Sequence, residues 1–188
     1  MAKIKIILFH IFLYCSAVSL FGQNTGRELS LPQAPKEDVK TIQAIYSAEI
    51  GIRELTGHND GKRVEEYLAS CSLKRGQPWC AAFVTWSFKK AGVKAVISGY
   101  SPNWFPTEKT IFTRGSNSNL VPGTADAFGI WFANKKRIAH VGFIDSWPTG
   151  SMAITVEGNT NEAGSREGDG IYRKRRLKNQ IYKISRWL

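Results

Sequence analysis

Cys80 follows a Pro-Trp pair in the stretch QPWCAAFV, where a run of helix-forming residues begins. Proline is accepted in the first turn of a helix but not in its interior, so Pro78 marks a helix start. Residues 80–91 favour a helix, and Gly92 is a natural end to it. The unpaired N–H groups and the dipole of a first turn lower the pKa of a thiol, and the thiolate is the reactive form. Cys80 is therefore a candidate nucleophile.

A thiolate nucleophile needs a base beside it and a third group that orients the base. His140 lies at the start of the strand-like run HVGFIDSW, whereas His58 lies in a turn-forming loop and is predicted at the surface. In TVEGNTN, Glu157 and Asn159 are two residues apart, so an extended chain places their side chains on one face. Either group, one hairpin away from His140, can accept the imidazole N–H and fix its tautomer. A polar, exposed strand face that ends in a turn is the alternative interpretation of this pair.

The pattern of apolar residues predicts the elements that position these side chains. Helical spacing indicates a first helix from Lys36 to Leu55 and a second around Val64–Cys71, with Cys71 on its buried face. Strand-like runs follow at residues 128–132, 140–147, 153–156, 171–176 and 181–187. Helices followed by hairpin-connected strands predict an α+β domain, in which N-terminal helices pack on an antiparallel meander. The intervening residues 92–124 are rich in Gly, Ser, Asn and Pro, and either line a substrate site or merely cover the core.

The first 22 residues have the layout of a secretory signal peptide. Lys3 and Lys5 precede an apolar run from Ile6 to Phe21, and no positive stop-transfer cluster follows it. The alternative, a membrane anchor, needs a slightly longer run. Residues 23–35 are polar, contain two prolines and are predicted to form a flexible leader, which leaves residues 36–188 as one domain. We therefore predict a monomer that is exported to the periplasm or cell exterior and keeps no membrane span after cleavage.

The mature chain is strongly basic. Because residues 1–22 contain two lysines and no acidic residue, their removal lowers the net charge from +11 to +9. An exported protein with this charge is attracted to anionic polymers of the cell envelope. Residues 171–188 contain seven basic residues and no acidic one, and they indicate either a polyanion contact or an ordinary solvated strand face. Nucleic acid is not a predicted partner, because charge alone would support it.

Two cysteines, Cys71 and Cys80, remain in the mature chain. In an exported protein this number predicts either one disulfide, within a non-catalytic domain that binds the cell wall, or a free catalytic thiol. An apolar helix face for Cys71 and a helix start for Cys80 make the disulfide the less attractive option. The spacings of the cysteines, His58 and His140 match no usual zinc pattern, so no metal or other cofactor is predicted.

Three stretches, GQPWCAAFVTWSFKKAG, AHVGFI and VEGNTN, together resemble the CHAP family of cysteine, histidine-dependent amidohydrolases and peptidases. The resemblance covers roughly residues 40–188 and implies a papain-like fold with peptidoglycan as substrate. It implies Cys80 as the nucleophile, His140 as the general base and acid, Glu157 as the group that orients His140, and Asn159 as a second polar member. Many relatives have Gly-His-Val where this chain has Ala-His-Val.

The reaction that the resemblance implies is acyl transfer. The thiolate of Cys80 attacks an amide carbonyl, and its backbone N–H helps to hold the oxyanion. His140 protonates the leaving amine, and water then releases the acyl group. Gln77 is a weaker candidate for a second oxyanion donor, because a glutamine in such a loop is usually only solvated.

Overall fold

The computed structural model describes residues 36–118, 120–162 and 168–188. The predicted signal peptide (1–22) and flexible leader (23–35) lie outside the described residues. In the described part of the chain, no helix combines the length and the apolar character needed to cross a membrane.

Three helices precede most of the sheet: α1 (Lys36–Ala48), α2 (Lys62–Ala69) and α3 (Cys80–Lys90). The prediction for α3 is confirmed, and Gly92 follows it with a positive φ of 70°. The predicted extension of α1 to Leu55 is wrong, because the chain turns at residues 49–51 and reaches a φ of 98° at Gly51. The predicted position of Cys71 within α2 is also wrong, because α2 ends at Ala69 and Cys71 lies in the turn that follows.

The sheet has six antiparallel strands in the order β1-β6-β2-β3-β4-β5. Its strands are β1 (Thr110–Thr113), β2 (Ala127–Phe132), β3 (Arg137–Ser146), β4 (Met152–Thr160), β5 (Gly170–Leu177) and β6 (Lys183–Ser185). The predicted meander is confirmed for β2 to β5, each of which pairs with the next. It does not extend to β6, which returns across the sheet to lie between β2 and β1. The predicted α+β class is confirmed.

The main core lies between the helices and one face of the sheet. The ring of Phe143 on β3 stacks on Tyr46 of α1 at 4.6 Å and meets the edge of Phe83 on α3 at 6.0 Å. All three side chains are fully buried, and burial of a large apolar side chain stabilises a fold by roughly 2–3 kcal/mol. This packing fixes α3, and therefore Cys80 at its first position, against β3.

A smaller apolar cluster covers the other face of the sheet. Its buried members are Ile111, Phe128, Ile144, Ala153, Ile181 and Ile184. The sheet is thus covered on both sides, so a polar side chain placed among these residues is shielded from water.

Candidate functional site

Cys80 is the first residue of α3, and only 4% of its surface is exposed. The preceding residue, Trp79, is fully buried, and its carbonyl accepts the first helical hydrogen bond from the N–H of Phe83 at 2.8 Å. Its indole Nε1 donates to Oε1 of Glu54 at 2.8 Å. Gly158 of β4 lies directly against this segment, since a Cβ there would be 2.8 Å from the Trp79 ring. The start of the helix is therefore held from several sides.

His140 lies on β3 in the middle of the sheet and is 2% exposed. Its Nε2 lies 2.8 Å from Oε2 of Glu157. An ionised carboxylate can only accept a hydrogen bond, so Nε2 carries the proton and donates. Nδ1 is consequently the nitrogen that remains for Cys80. This is the arrangement in which a carboxylate fixes the tautomer of a base.

The imidazole of His140 and the thiol of Cys80 shift each other's pKa. Burial raises the pKa of Cys80, but His140 and the hydroxyl of Ser101 lower it by more than this, to about 7. Burial lowers the pKa of His140, but Cys80 and Glu157 raise it, to about 9. Nδ1 has no hydrogen-bond partner of ordinary geometry among the described residues, although the lowered pKa of Cys80 and the raised pKa of His140 both have the other group among their causes. Catalytic hydrogen bonds are often long without substrate and shorten when it binds.

Glu157 is fully buried and receives four hydrogen bonds. Besides His140, Thr155 donates its hydroxyl at 2.6 Å, and the guanidinium of Arg176 donates through Nε at 2.8 Å and through Nη2 at 2.6 Å. Burial raises the pKa of this carboxyl, but His140 and Arg176 hold it well below its usual range. Glu157 is therefore ionised, and it supports a positive charge on His140. Gly142 permits the close approach, since a Cβ there would lie 3.1 Å from Cγ of Glu157.

Arg176 is a member of the site that the sequence did not reveal. It lies on β5 opposite Ala153 of β4 and is only 8% exposed. Among the described residues, three of the seven basic residues in 171–188 have an ion-pair partner: Arg173 with Asp145, Arg176 with Glu157 and Arg186 with Asp126. The alternation of a β-strand could have indicated its burial. Arg173 and Arg175 lie on the exposed face of β5, so Arg176, the next residue, is expected on the opposite face, where it is buried.

The described hydrogen bonds of Asn159 go to residues other than His140. The pairing of β4 with β5 is irregular between Glu157 and Thr160, and Asn159 has a positive φ of 54°, so the predicted alternation of side chains ends there. The amide of Asn159 donates instead to Oδ1 of Asn59 at 2.6 Å and to Glu54 at 3.4 Å. Glu54 also binds the indole of Trp79, so Asn159 supports the segment that carries Cys80.

Residues 97–101, from the connection between α3 and the first strand, line a cleft beside Cys80. The hydroxyl of Ser101 is 3.6 Å from Sγ of Cys80, and Ser101 was not predicted as a site residue. Gln77 lies in the cleft lining, where its Oε1 accepts a hydrogen bond from the backbone N–H of Lys74 at 2.7 Å. Its amide nitrogen is thus the end left to meet a ligand.

Cys71 and Cys80 are both free thiols, so the alternative disulfide is not formed. Cys71 is half-buried, lines the same cleft and lies 3.6 Å from the hydroxyl of Ser70. His58 is in an exposed loop, where its ring contacts Thr56. Across the described ranges, no group of three or more His, Cys, Asp or Glu side chains is arranged to hold a metal ion.

Comparison of the sequence with known proteins adds no family assignment. No protein-family model matches the chain. No curated protein is significantly similar to it either. What the site can do therefore follows from its own geometry.

The reactivity of Cys80 is expected to depend on pH with a midpoint of about 7. Alkylation by iodoacetamide requires the thiolate, so its rate at Cys80 should rise as the pH increases through that value. The measurement is the initial rate of modification at Cys80 between pH 5 and pH 10, followed by peptide mass mapping. His140→Gln removes the cation and leaves the burial, so it should move the midpoint above that of an ordinary thiol. An unchanged midpoint in His140→Gln would show that the imidazole does not activate Cys80.

Proposed function

We propose that the protein is an exported cysteine amidohydrolase or endopeptidase that cleaves amide bonds of peptidoglycan. One observation carries the proposal: Cys80, at the start of a helix, is coupled to His140, whose other ring nitrogen donates to the ionised Glu157. The nucleophile thus interacts with the base, and the base is hydrogen-bonded to the orienting group, in the order that covalent catalysis requires. A helix with a nucleophile at its first residue, packed on an antiparallel sheet that carries the base, also supports a papain-like fold of the CHAP type.

In the first half-reaction, the thiolate of Cys80 adds to the amide carbonyl carbon, and a tetrahedral oxyanion forms. Backbone N–H groups of the first turn of α3 stabilise that oxyanion, with the amide of Gln77 as a further donor from the cleft lining. Nδ1–H of His140 then protonates the amine nitrogen, the C–N bond breaks, and Cys80 holds the acyl group as a thioester. Ionised Glu157 stabilises the imidazolium until the proton is transferred.

In the second half-reaction, neutral His140 removes a proton from water through Nδ1. The resulting hydroxide attacks the thioester carbonyl, the C–S bond breaks, and the thiolate of Cys80 is regenerated beside the imidazolium. The low pKa of Cys80 favours this step, because a more stable thiolate is a better leaving group. The cycle consumes one water for each amide bond and needs no cofactor.

The assignment of peptidoglycan as substrate is supported by three features of the sequence. They are the resemblance of residues 40–188 to the CHAP family, the predicted signal peptide at residues 1–22, and the mature net charge of +9. Both the bond between muramic acid and the stem peptide and the bonds within the peptide are amides that this chemistry attacks. The competing function, a non-catalytic wall-binding domain with a Cys71–Cys80 disulfide, is disfavoured because both thiols are free.

Digestion of purified sacculi tests the proposed function. The purified protein should release soluble muropeptides, and mass spectrometry of the products should show new amine and carboxyl ends from one type of amide bond. The new ends also identify which bond is cut. New reducing sugar ends would indicate a glycosidase instead, and binding to sacculi without any release would favour the non-catalytic function.

A further inference from the structure

The cleft beside Cys80 has a volume of about 450 Å³ and a distinctive distribution of charge. Its lining includes Gln77, Cys80, Ile97, Tyr100, Ser101 and Arg137. Arg137 is the one side chain of this lining that carries a full positive charge, and the lining contains no acidic side chain. A ligand of the cleft therefore meets a single cation among neutral groups.

The guanidinium of Arg137 is not neutralised within the described residues. It is half-buried, and its Nη1 donates to the carbonyl of Ile138 at 3.1 Å. Its central carbon lies 4.9 Å from the ring centre of Tyr100, which is 49% exposed. No carboxylate of the described chain lies within ion-pairing distance of it. Most of the donor edge of this guanidinium is thus available to a ligand.

A break in strand register lets one strand serve both the cleft and the catalytic base. Ile130 is opposite His140, but Trp131 is opposite Ile138, so Ala139 is an extra residue in β3. Such a bulge changes the direction of the side chains on either side of it. Arg137 and Ala139 consequently line the cleft, while His140 is directed to Glu157. Three residues of strand place the backbones of Arg137 and His140 about 10 Å apart.

We propose that Arg137 determines specificity by binding a carboxylate of the substrate, which rests on the proposed function of the site. A guanidinium binds a carboxylate through two parallel hydrogen bonds, and an amide in the same place cannot replace both. The separation of about 10 Å between the backbones of Arg137 and His140 equals about three residues of extended peptide, so that carboxylate lies within about three residues of the amide attacked by Cys80. The exposed ring of Tyr100 and the exposed side chain of Ile97 cover the aliphatic part of the same peptide. The preferred substrates are thus stem peptides with a free carboxyl near the scissile bond.

Calorimetric titration of the full chain carrying Cys80→Ala tests this role without turnover. The two ligands are muropeptides that differ only in whether one stem carboxyl is free or amidated. The free carboxylate should bind about 10- to 100-fold more tightly, the range expected for a charged hydrogen-bonded pair. Introducing Arg137→Gln into the Cys80→Ala protein should abolish this difference in affinity, because it should weaken binding of the muropeptide with the free carboxyl and leave binding of the amidated one unchanged. Arg137→Lys should keep part of it, because the charge remains and the two-pronged geometry is lost.

Arg175→Gln is the matched control. Arg175 is exposed on β5 and outside the cleft lining, so this change removes the same charge and should leave the preference intact. Equal binding of the two muropeptides, or a preference that persists in Arg137→Gln, overturns the role of Arg137. Digestion of sacculi by the wild-type protein is scored separately. If the protein digests sacculi but binds the two muropeptides equally, the role of Arg137 is wrong and the proposed function stands. If it binds the free carboxylate more tightly but digests nothing, the role of Arg137 stands and the proposed hydrolase function is wrong.

Discussion

Replacing Cys80 with alanine is expected to reduce the release of muropeptides from sacculi by at least about 10⁴-fold. In the proposed mechanism, the sulfur of Cys80 is the atom that forms the thioester, and the remaining oxyanion donors and binding contacts accelerate hydrolysis only weakly. The fold should persist, because alanine fits the space of a small buried side chain at the first position of α3. Initial rates on sacculi and thermal unfolding of the same preparation provide the measurement.

Cys71→Ser is the control for this variant, because Cys71 is the other free thiol of the same cleft. Its turnover should remain within about threefold of the wild-type value, since Cys80 and not Cys71 is the thiol that raises the pKa of His140, while the thermal midpoint falls slightly. Full activity in Cys80→Ala would exclude the thioester mechanism. Loss of activity in Cys71→Ser at unchanged stability would transfer the catalytic role to the other cysteine.

The parts of the fold that the sequence predicts are those governed by local chemistry. The Pro-Trp-Cys start and the glycine stop bound α3, and period-two runs locate β2 to β5. His140 and Glu157 were predictable as partners because one hairpin joins their strands, which leaves few ways to pair them. Each of these signals lies within a short stretch of chain, so it can be interpreted from the sequence without knowledge of tertiary contacts.

The remaining site residues depend on contacts between distant segments. Ser101 reaches Cys80 from a connection without regular periodicity, and Glu54 binds Trp79 across 25 positions. Arg176 lies in a run of basic residues that is typical of a solvated strand face, although its side chain is buried against Glu157. Asn159 follows a break in strand register, for which Gly158 is a local signal that does not say where the Asn159 side chain goes. Contacts between segments that are distant in the sequence produce no periodic pattern of residues, so the sequence alone does not predict them.

Arg176 also completes an alternation of charge through the buried site. With the thiol ionised and the imidazole protonated, the order is Cys80 negative, His140 positive, Glu157 negative and Arg176 positive, so the group is neutral as a whole. Each charge has an opposite neighbour, which compensates the cost of removing it from water. Glu157 is the central member, since it is shared by His140 and Arg176.

Glu157→Gln should therefore lower the free energy of unfolding by about 3–5 kcal/mol, because it leaves the buried guanidinium of Arg176 without a counter-charge. Hydrolysis should fall by about 10²- to 10³-fold but remain measurable, since in the proposed mechanism Glu157 orients the base and does not react. The pKa of His140 should fall, because the carboxylate that raises it is gone. Chemical denaturation, initial rates and NMR titration of His140 measure the three effects.

The pH dependence of stability distinguishes the contribution of the charge of Glu157 to stability from the contribution of its packing. The pKa of Glu157 is depressed in the fold, so its stabilisation is fully present above the unfolded value of about 4.3 and is lost as the pH falls through the folded value. Glutamine does not titrate, so the gap in stability between wild type and Glu157→Gln should narrow below about pH 4. A gap that stays constant in acid would mean that packing, and not charge, holds the site together.

The double variant Glu157→Gln, Arg176→Met distinguishes stability from catalysis. Removing the stranded cation along with the carboxylate should restore most of the lost free energy of unfolding, because replacing both members of a buried ion pair costs far less than replacing one. Hydrolysis should stay low, because His140 still lacks the carboxylate that fixes its tautomer. Recovery of both properties would assign Glu157 to structure alone. Recovery of neither would show that Arg176 is not the group left uncompensated in the single variant.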